Sequence, residues 1–264
     1  MKKTSRRDIV TAAMGAAAST TLASSSMAAT PAGTSTLFAV SSATIPIIGE
    51  SRLFPVRRIY CIGRNYAAHA IERGGDPNRE PPFFFQKPTD AIQNVALGVV
   101  ADHPYPQLTK NYHHEVELVA ALKSGGVNIP VDKALDHVYG YAVGLDMTRR
   151  DLQDAMREQQ RPWEIGKSFD HSAVLGPIHK VAEVGHPAKG AISLAINGKI
   201  QQNSDLNKMI WNVAEQIARL SQAFELKAGD IIYSGTPENV SPVVKGDVLL
   251  CKIEGLKHMS VRIV

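Results

Sequence analysis

Two glutamates one residue apart, Glu115 and Glu117, and the later Asp146 are the side chains here whose types and spacing could do metal chemistry. Side chains of a strand alternate faces, so residues at i and i+2 point the same way. In the run 114–122 both carboxylates therefore leave one face, while Val116 and Leu118 enter a core on the other. Two like charges this close raise each other's pKa, and a hard divalent cation removes the conflict. A second apolar run, 138–145, delivers Asp146 at its end. Three carboxylates with no cysteine among them favour Mg²⁺ first, then Mn²⁺ or Ca²⁺, over zinc. Taken alone, a Glu-x-Glu pair is more often an exposed strand edge that uses charge against aggregation.

Other residues could supply proton transfer and charge stabilisation. His69 and Glu72 are three apart in a helical pattern and share a face. A glutamate accepting from one imidazole nitrogen fixes the tautomer and leaves the other nitrogen to take a proton from water. Lys167, after Gly166, could stabilise a developing enolate or oxyanion beside a metal. Thr236, in Gly235-Thr236-Pro237 after an apolar run, could hold a carboxylate through its hydroxyl and backbone N–H groups. Each of these also has a bland reading, as a surface pair, a solvated loop lysine or a strand-terminating turn.

The elements that must position these groups follow from pattern and punctuation. Regular structure is expected from about Ile45, with a first strand over 57–62. A short helix over 65–73 is stopped by Gly74-Gly75. An aromatic strand lies among the prolines of 81–88, followed by the two carboxylate strands and a helix over 148–159. Residues 191–196 alternate and turn at Asn197-Gly198, a hairpin signal. Ser204 or Asp205 is expected to cap a helix over 206–222, with Ile210, Val213, Ile217 and Leu220 as its apolar stripe. Gly-Asp turns precede strands at 231–233 and 248–250. There is no internal repeat and no strict βαβ alternation, so the fold class is α+β with mixed or antiparallel sheet.

The 264 residues suit one large domain with appendages, and 44% apolar content is enough for a sizeable core. The formal charge is +4. Residues 1–29 hold Lys2, Lys3, Arg6 and Arg7 against Asp8, so the rest is near neutral. No basic stripe is interleaved with aromatics, which argues against nucleic acid. Ser5-Arg6-Arg7 and the Ala-rich stretch behind it resemble a twin-arginine signal, with small residues for cleavage at 26–29. The stretch is too short to span a membrane. The expected organisation is a leader over 1–29, a linker and extension over 30–56, and a catalytic domain over 57–264, periplasmic after export. Cys61 and Cys251 lie in apolar strand-like runs and read as buried free thiols, although export leaves a disulfide open.

Six co-linear segments resemble the fumarylacetoacetate hydrolase superfamily. They are 63–72, 85–88, 114–118, 140–153, 166–170 and 234–237. The runs 54–60, 81–85 and 161–167 are most similar to the bacterial fumarylpyruvate hydrolases within it. The resemblance implies a fumarylacetoacetase C-terminal-domain-like mixed β-sheet roll or sandwich with short flanking helices. It also implies a divalent cation on Glu115, Glu117 and Asp146 that chelates a 2,4-dioxo acid such as fumarylpyruvate. In that reading Glu72 orients His69, His69 activates water against the C4 carbonyl, and Lys167 helps hold the enolate of the departing pyruvate. Arg64, Tyr66, Lys87, Gln153 and Thr236 are the implied substrate contacts, and the partner is that small molecule. The distal carboxylate of a fumaryl group needs a cation, for which Arg64, Arg73 and Arg149 are candidates. A homodimer is implied as well. Glu238-Asn239-Val240 stands where a glycine is common, which bears on the conformation of that loop. The same site chemistry serves oxaloacetate-type decarboxylation and hydroxymuconate-type isomerisation or decarboxylation, and the family fold does not choose among them. A reading from another class is an exported binding protein without turnover.

Overall fold

Every residue of the strand Val116–Leu122 is buried, as expected for a strand covered on both faces. Val116, Leu118, Ala120 and Leu122 belong to one apolar cluster, while Val119 and Ala121 belong to a second. The computed structural model describes residues 37–76, 78 and 80–264, so the expected leader and the first part of the linker lie outside the described residues. The first element is the short strand Thr44–Ile45.

Val116–Leu122 lies inside an eight-stranded mixed sheet. Its order is Phe84–Lys87, Arg58–Ile62, Asp230–Tyr233, Val116–Leu122, Val138–Asp146, Ala173–Leu175 and Ile92–Asn94, with His179–Lys180 as a further partner of Val138–Asp146. Asp230–Tyr233 runs parallel to Arg58–Ile62, and Ala173–Leu175 runs parallel to Ile92–Asn94. A second sheet has five strands, ordered Lys199–Asp205, Ala191–Ile196, Val248–Ile253, Met259–Ile263 and Val100–His103. The two sheets share one core, in which Leu118, Val143 and Leu145 join Ile192, Leu194, Leu249 and Val261. The other face of the large sheet is covered by Ile45, Ile47, Phe54 and Ile178. This is the α+β mixed-sheet fold expected from the sequence.

Cys61 and Cys251 are buried free thiols in different clusters. The hairpin at Asn197-Gly198 forms, with positive φ at both residues (50° and 82°) as a type I′ turn requires. Two expected helices start later than the sequence suggests. Thr148–Arg149 is extended and pairs with Tyr112–His113, so that helix is Arg150–Glu158. Asp205 ends a strand and caps only a 3₁₀ turn, Leu206–Lys208. The α-helix is Val213–Ala223, capped by Asn212 in a capping box with Glu215. The cause is Asn65. Its carbonyl accepts from Ile210 N (2.7 Å) and its side chain accepts from Trp211 N (2.8 Å), so this backbone is bonded away from a helix. Ile210 is therefore outside the stripe, whereas Val213, Ile217 and Leu220 are core. Among the described residues no helix is long and apolar enough to cross a membrane.

Candidate metal centre and reaction cleft

The strand register brings the carboxylates together. Val116 pairs with Leu145, and Asp146 N donates to Glu115 O at 2.9 Å, so Glu115 and Asp146 are cross-strand neighbours on one face. Glu117 lies opposite Gly144, where a Cβ would stand 2.6 Å from Val119 Cγ2 and 2.8 Å from Tyr233 Cε1. One ligand oxygen from each of Glu115, Glu117 and Asp146 lies within 4.8 Å of the others. All three are buried, at 4%, 1% and 1% exposure, which overturns the exposed-edge reading.

Like charges this close are destabilising unless compensated. Lys167 Nζ donates at 2.7 Å to Glu115 Oε2, to Asp146 Oδ2 and to Thr148 Oγ1. Arg150 donates to the other Glu115 oxygen. Burial pushes the Glu115 carboxyl up, but Lys167 and Arg150 outweigh it and hold the group well below the usual range. Glu117 is the contrast. Among the described residues it accepts only from Gly235 N (2.8 Å), and burial with the charges of Asp146 and Glu115 pushes it well above the usual range. Gly235 makes that bond at φ +93°, in a place where a Cβ would lie 2.6 Å from Asn65 Cβ. Asp146 Oδ1 is buried without a hydrogen bond, although Lys87 Nζ lies 2.8 Å away. Lys87 Nζ also donates to the carbonyls of Met147 and Lys167. An all-oxygen donor set with one unbonded oxygen and one under-compensated carboxylate fits a hard divalent cation.

The triad lines a cleft of about 430 Å³ that is partly open to solvent. His69, on the helix Ala67–Glu72, lines it too. Its Nδ1 is 2.9 Å from Glu72 Oε2, and the other Glu72 oxygen accepts from Asn239 N at 3.2 Å. With Nδ1–H donating to Glu72, the imidazole presents Nε2 as a base. Asn239 adopts φ +66°, a conformation asparagine tolerates, so the departure from glycine still gives a loop that holds Glu72. Gln153 lines the cleft, with Oε1 accepting from Arg150 at 2.5 Å. Arg64 lines it from the other rim, in left-handed backbone (φ +53°), with its guanidinium 5.9 Å from the Phe83 ring.

Thr236 lines the cleft, but its hydroxyl donates to Val116 O (2.9 Å) and accepts from Gln202 Nε2 (2.9 Å). The hydroxyl ties the loop to the metal strand, and the backbone N–H is the group left for a ligand. Lys87 and Tyr66 do not reach the cleft lining. Lys87 underlies Asp146, and the buried Tyr66 hydroxyl has no partner and is pushed above its ordinary range by burial and by Glu117. Arg149 faces elsewhere, with its guanidinium 4.2 Å from the Phe169 ring.

Sequence reasoning missed Arg150, Asp154, Arg157, Trp163 and Gln202. On the helix Arg150–Glu158 the residues Arg150, Gln153, Asp154 and Arg157 fall at i, i+3, i+4 and i+7, and all four line the cleft. That polar stripe was a readable signal. Gln202, from the small sheet, offered none. It is fully buried, and it bonds His114 Nδ1, Val116 N, Thr236 Oγ1 and Pro237 O.

Comparisons with known proteins point to one family. The family model for the fumarylacetoacetate hydrolase C-terminal region matches residues 58–264. The chain is 42% identical to a fumarylpyruvate hydrolase of a Ralstonia species over 188 residues, which is 71% of this chain and 95% of that one. It is 34% identical to a human mitochondrial oxaloacetate tautomerase over 207 residues, 78% of this chain and 91% of that one. The crystal structure of a Pseudomonas aeruginosa fumarylpyruvate hydrolase in complex with Mn²⁺ and pyruvate superposes with a TM-score of 0.86 at 55% identity, covering 87% of this chain and 99% of that one.

Proposed function

The chain belongs to the fumarylacetoacetate hydrolase family, and on that premise we propose that it is a divalent-metal-dependent acylpyruvase, cleaving the C3–C4 bond of a 2,4-dioxo acid such as fumarylpyruvate to pyruvate and a carboxylic acid. The observation that carries this reading is the His69–Glu72 dyad on the wall of the cleft that the three buried carboxylates line. Glu115, Glu117 and Asp146 would hold the cation, with Mg²⁺ and Mn²⁺ both suited to the donor set. When bound, the cation supplies Lewis-acid polarisation of the substrate's oxo and carboxylate oxygens.

The remaining roles follow from the chain's own groups. Glu72, fixed by Asn239 N, holds the His69 ring, and His69 takes the proton of the water that adds to C4. When the C3–C4 bond breaks, its electron pair passes to the pyruvate part as the enolate, C4 keeps the water oxygen as a carboxylic acid, and the proton held by His69 returns to C3 to give pyruvate. The Lys167 ammonium lies where that negative charge develops. Gln153, whose Oε1 is occupied by Arg150, offers its amide protons to the substrate, and the Thr236 N–H offers one more. Phe85 and Trp163 line the cleft and exclude water. Lys87, beneath Asp146, orients that ligand. We further propose export by the twin-arginine route, supported by Arg6-Arg7 and the Ala-rich stretch, and a dimer, supported by family membership.

A second reading, enolisation or decarboxylation of oxaloacetate at the same carboxylates, is supported by the similarity to an oxaloacetate tautomerase. Pyruvate release separates acylpyruvate cleavage from decarboxylation, and the enol absorbance of oxaloacetate, followed beside it, reads enolisation, which releases no pyruvate. The acylpyruvase reading expects release from fumarylpyruvate that needs Mg²⁺ or Mn²⁺, stops with EDTA, and is lost in His69→Ala. Release from oxaloacetate alone, insensitive to His69→Ala, would move the protein to the second reading. Binding without turnover of either would leave an exported binding protein.

A further inference from the structure

We infer that Arg73, held by Asp154 and backed by Arg157, receives a second carboxylate at the far end of the substrate, so that the cleft selects dicarboxylic acylpyruvates. This rests on the acylpyruvase reading and names the substrate class within it.

Two helices form the rails of the cleft. On the first, Arg73 follows His69 by four residues, and Arg73 N donates to His69 O at 3.0 Å, closing a helical turn. The two side chains therefore share a face, about 6 Å apart along the axis at 1.5 Å per residue. On the second rail, Arg150 marks the inner end through its bond to Glu115. Arg157 marks the outer end, about 10 Å farther along the axis. The rails meet at that outer end, where Arg73 donates to Asp154 Oδ1, Arg157 Nη2 lies 3.6 Å from the same oxygen, and Arg157 Nη1 donates to Arg73 O at 3.2 Å. A substrate anchored by its 1-carboxylate and 2-oxo oxygens at the triad presents C4 to His69. Whatever the acyl group carries beyond C4 then extends toward Arg73.

The chemistry at that end fits an anion. Two guanidiniums converge on a single oxygen of a single carboxylate, leaving an excess positive charge and unused N–H donors. The other arginines are less suited. Arg150 is committed to Glu115 and Gln153 at the inner end. Arg149 stacks on Phe169 away from the cleft. Arg64 packs beside Gly75, in the turn that follows Arg73, with its guanidinium 5.9 Å from the Phe83 ring, and it also lines a neighbouring groove. A neutral acyl group would leave the Arg73–Arg157 pair half-compensated, so a diacid gains charge-assisted hydrogen bonds that a monoacid lacks.

The test is a specificity ratio in the Mn²⁺-loaded full chain, the kcat/KM for fumarylpyruvate divided by that for acetylpyruvate, which ends in a methyl group. Arg73→Met is expected to lower this ratio about 10- to 100-fold, mostly through KM for the diacid, with Arg73→Lys in between. A fold-level defect lowers both substrates together and leaves the ratio unchanged. An unchanged ratio in Arg73→Met, or a collapse in Arg64→Met instead, overturns the assignment. If the wild-type chain turns over neither compound, the acylpyruvase reading fails, and the two intact compounds become calorimetric probes. A diacid preference lost in Arg73→Met would then still support the carboxylate site, and equal affinities would overturn it.

Discussion

The two sheets bury different things. The small sheet turns Ile192, Leu194, Leu249, Cys251, Val261 and Ile263 inward, a nearly uniform apolar face. The large sheet and its bordering helices bury Glu115, Glu117, Asp146, Lys87, Lys167 and Arg150 at one end. Buried charge is costly even when paired, and the apolar clusters on the two faces of the large sheet, one of them shared with the small sheet, offset that cost. Hydrogen bonds cross the divide at more than one place, and at one of them Gln93 of the large sheet bonds Asp102 O and His103 Nδ1 of the small one. At another, Gln202 leaves the small sheet to bond His114, the strand of the carboxylates and the Thr236 loop. The chemistry is thus confined to one end of the large sheet, and Gln202 is the joint that ties that end to the small sheet.

Substitutions can break or sharpen that division. The largest effect is expected at the charged end. Asp146→Asn or Glu117→Gln should lower kcat by about 10³-fold or more. Glu117→Gln should also raise the melting temperature of the metal-free chain by about 3 °C or more, because the neutral side chain removes the repulsion from Asp146 and Glu115. A metal-free melt that falls would contradict the crowding argument. Next, His69→Ala should cost about 10²- to 10⁴-fold in kcat, and Glu72→Gln about 10- to 100-fold, with little change in melting.

The apolar half should respond the other way. Leu194→Ala is expected to cost about 2–5 kcal/mol in a denaturant titration, with kcat per folded molecule nearly unchanged. Gln202→Leu tests the joint. It should cost about 2–3 kcal/mol and also raise KM, because Thr236 and Val116 lose a shared partner. Stability lost with KM intact would show the joint to be structural alone.

The smallest effect is pH-dependent. Burial, and then the charge of His171, lowers the His103 pKa from 6.5 to about 4. The unfolded chain binds a proton near pH 6.5 that the folded chain refuses until about pH 4, so stability falls as pH falls between those values. At pH 5 this group alone should cost about 2 kcal/mol relative to pH 7. His103→Gln should flatten that slope, read from melts at pH 7, 6 and 5.

Much of this was legible in the sequence because it is local. Alternation fixed the shared face of Glu115 and Glu117, helical spacing fixed His69 with Glu72, and Asn197-Gly198 fixed a hairpin. What failed depended on distant partners. Asn65 captures the backbone of Ile210 and Trp211 and delays a helix to Val213, and no local pattern announces a bond across 146 positions. Arg149, one of three candidates for a distal carboxylate, faces away from the cleft for a similar reason. The helix begins at Arg150, so a one-residue change of start turns one arginine to the cleft and the other to Phe169. Gln202 carries no local pattern, and only its contacts with the other sheet reveal its place. Thr236 was found, but its hydroxyl is engaged with Val116 O, a bond visible only in three dimensions.

The division between a charged, chemical half and an apolar scaffold is tested most directly by titrating the metal-free chain with Mn²⁺. Bound Mn²⁺ and pyruvate release from fumarylpyruvate are followed in the same samples, for wild type and Asp146→Asn. The expected result is one Mn²⁺ per chain, release rising in proportion to occupancy, and both lost together in the variant. Release that is independent of occupancy, or that survives in Asp146→Asn without bound Mn²⁺, would contradict the assignment of the carboxylate end to metal-dependent cleavage.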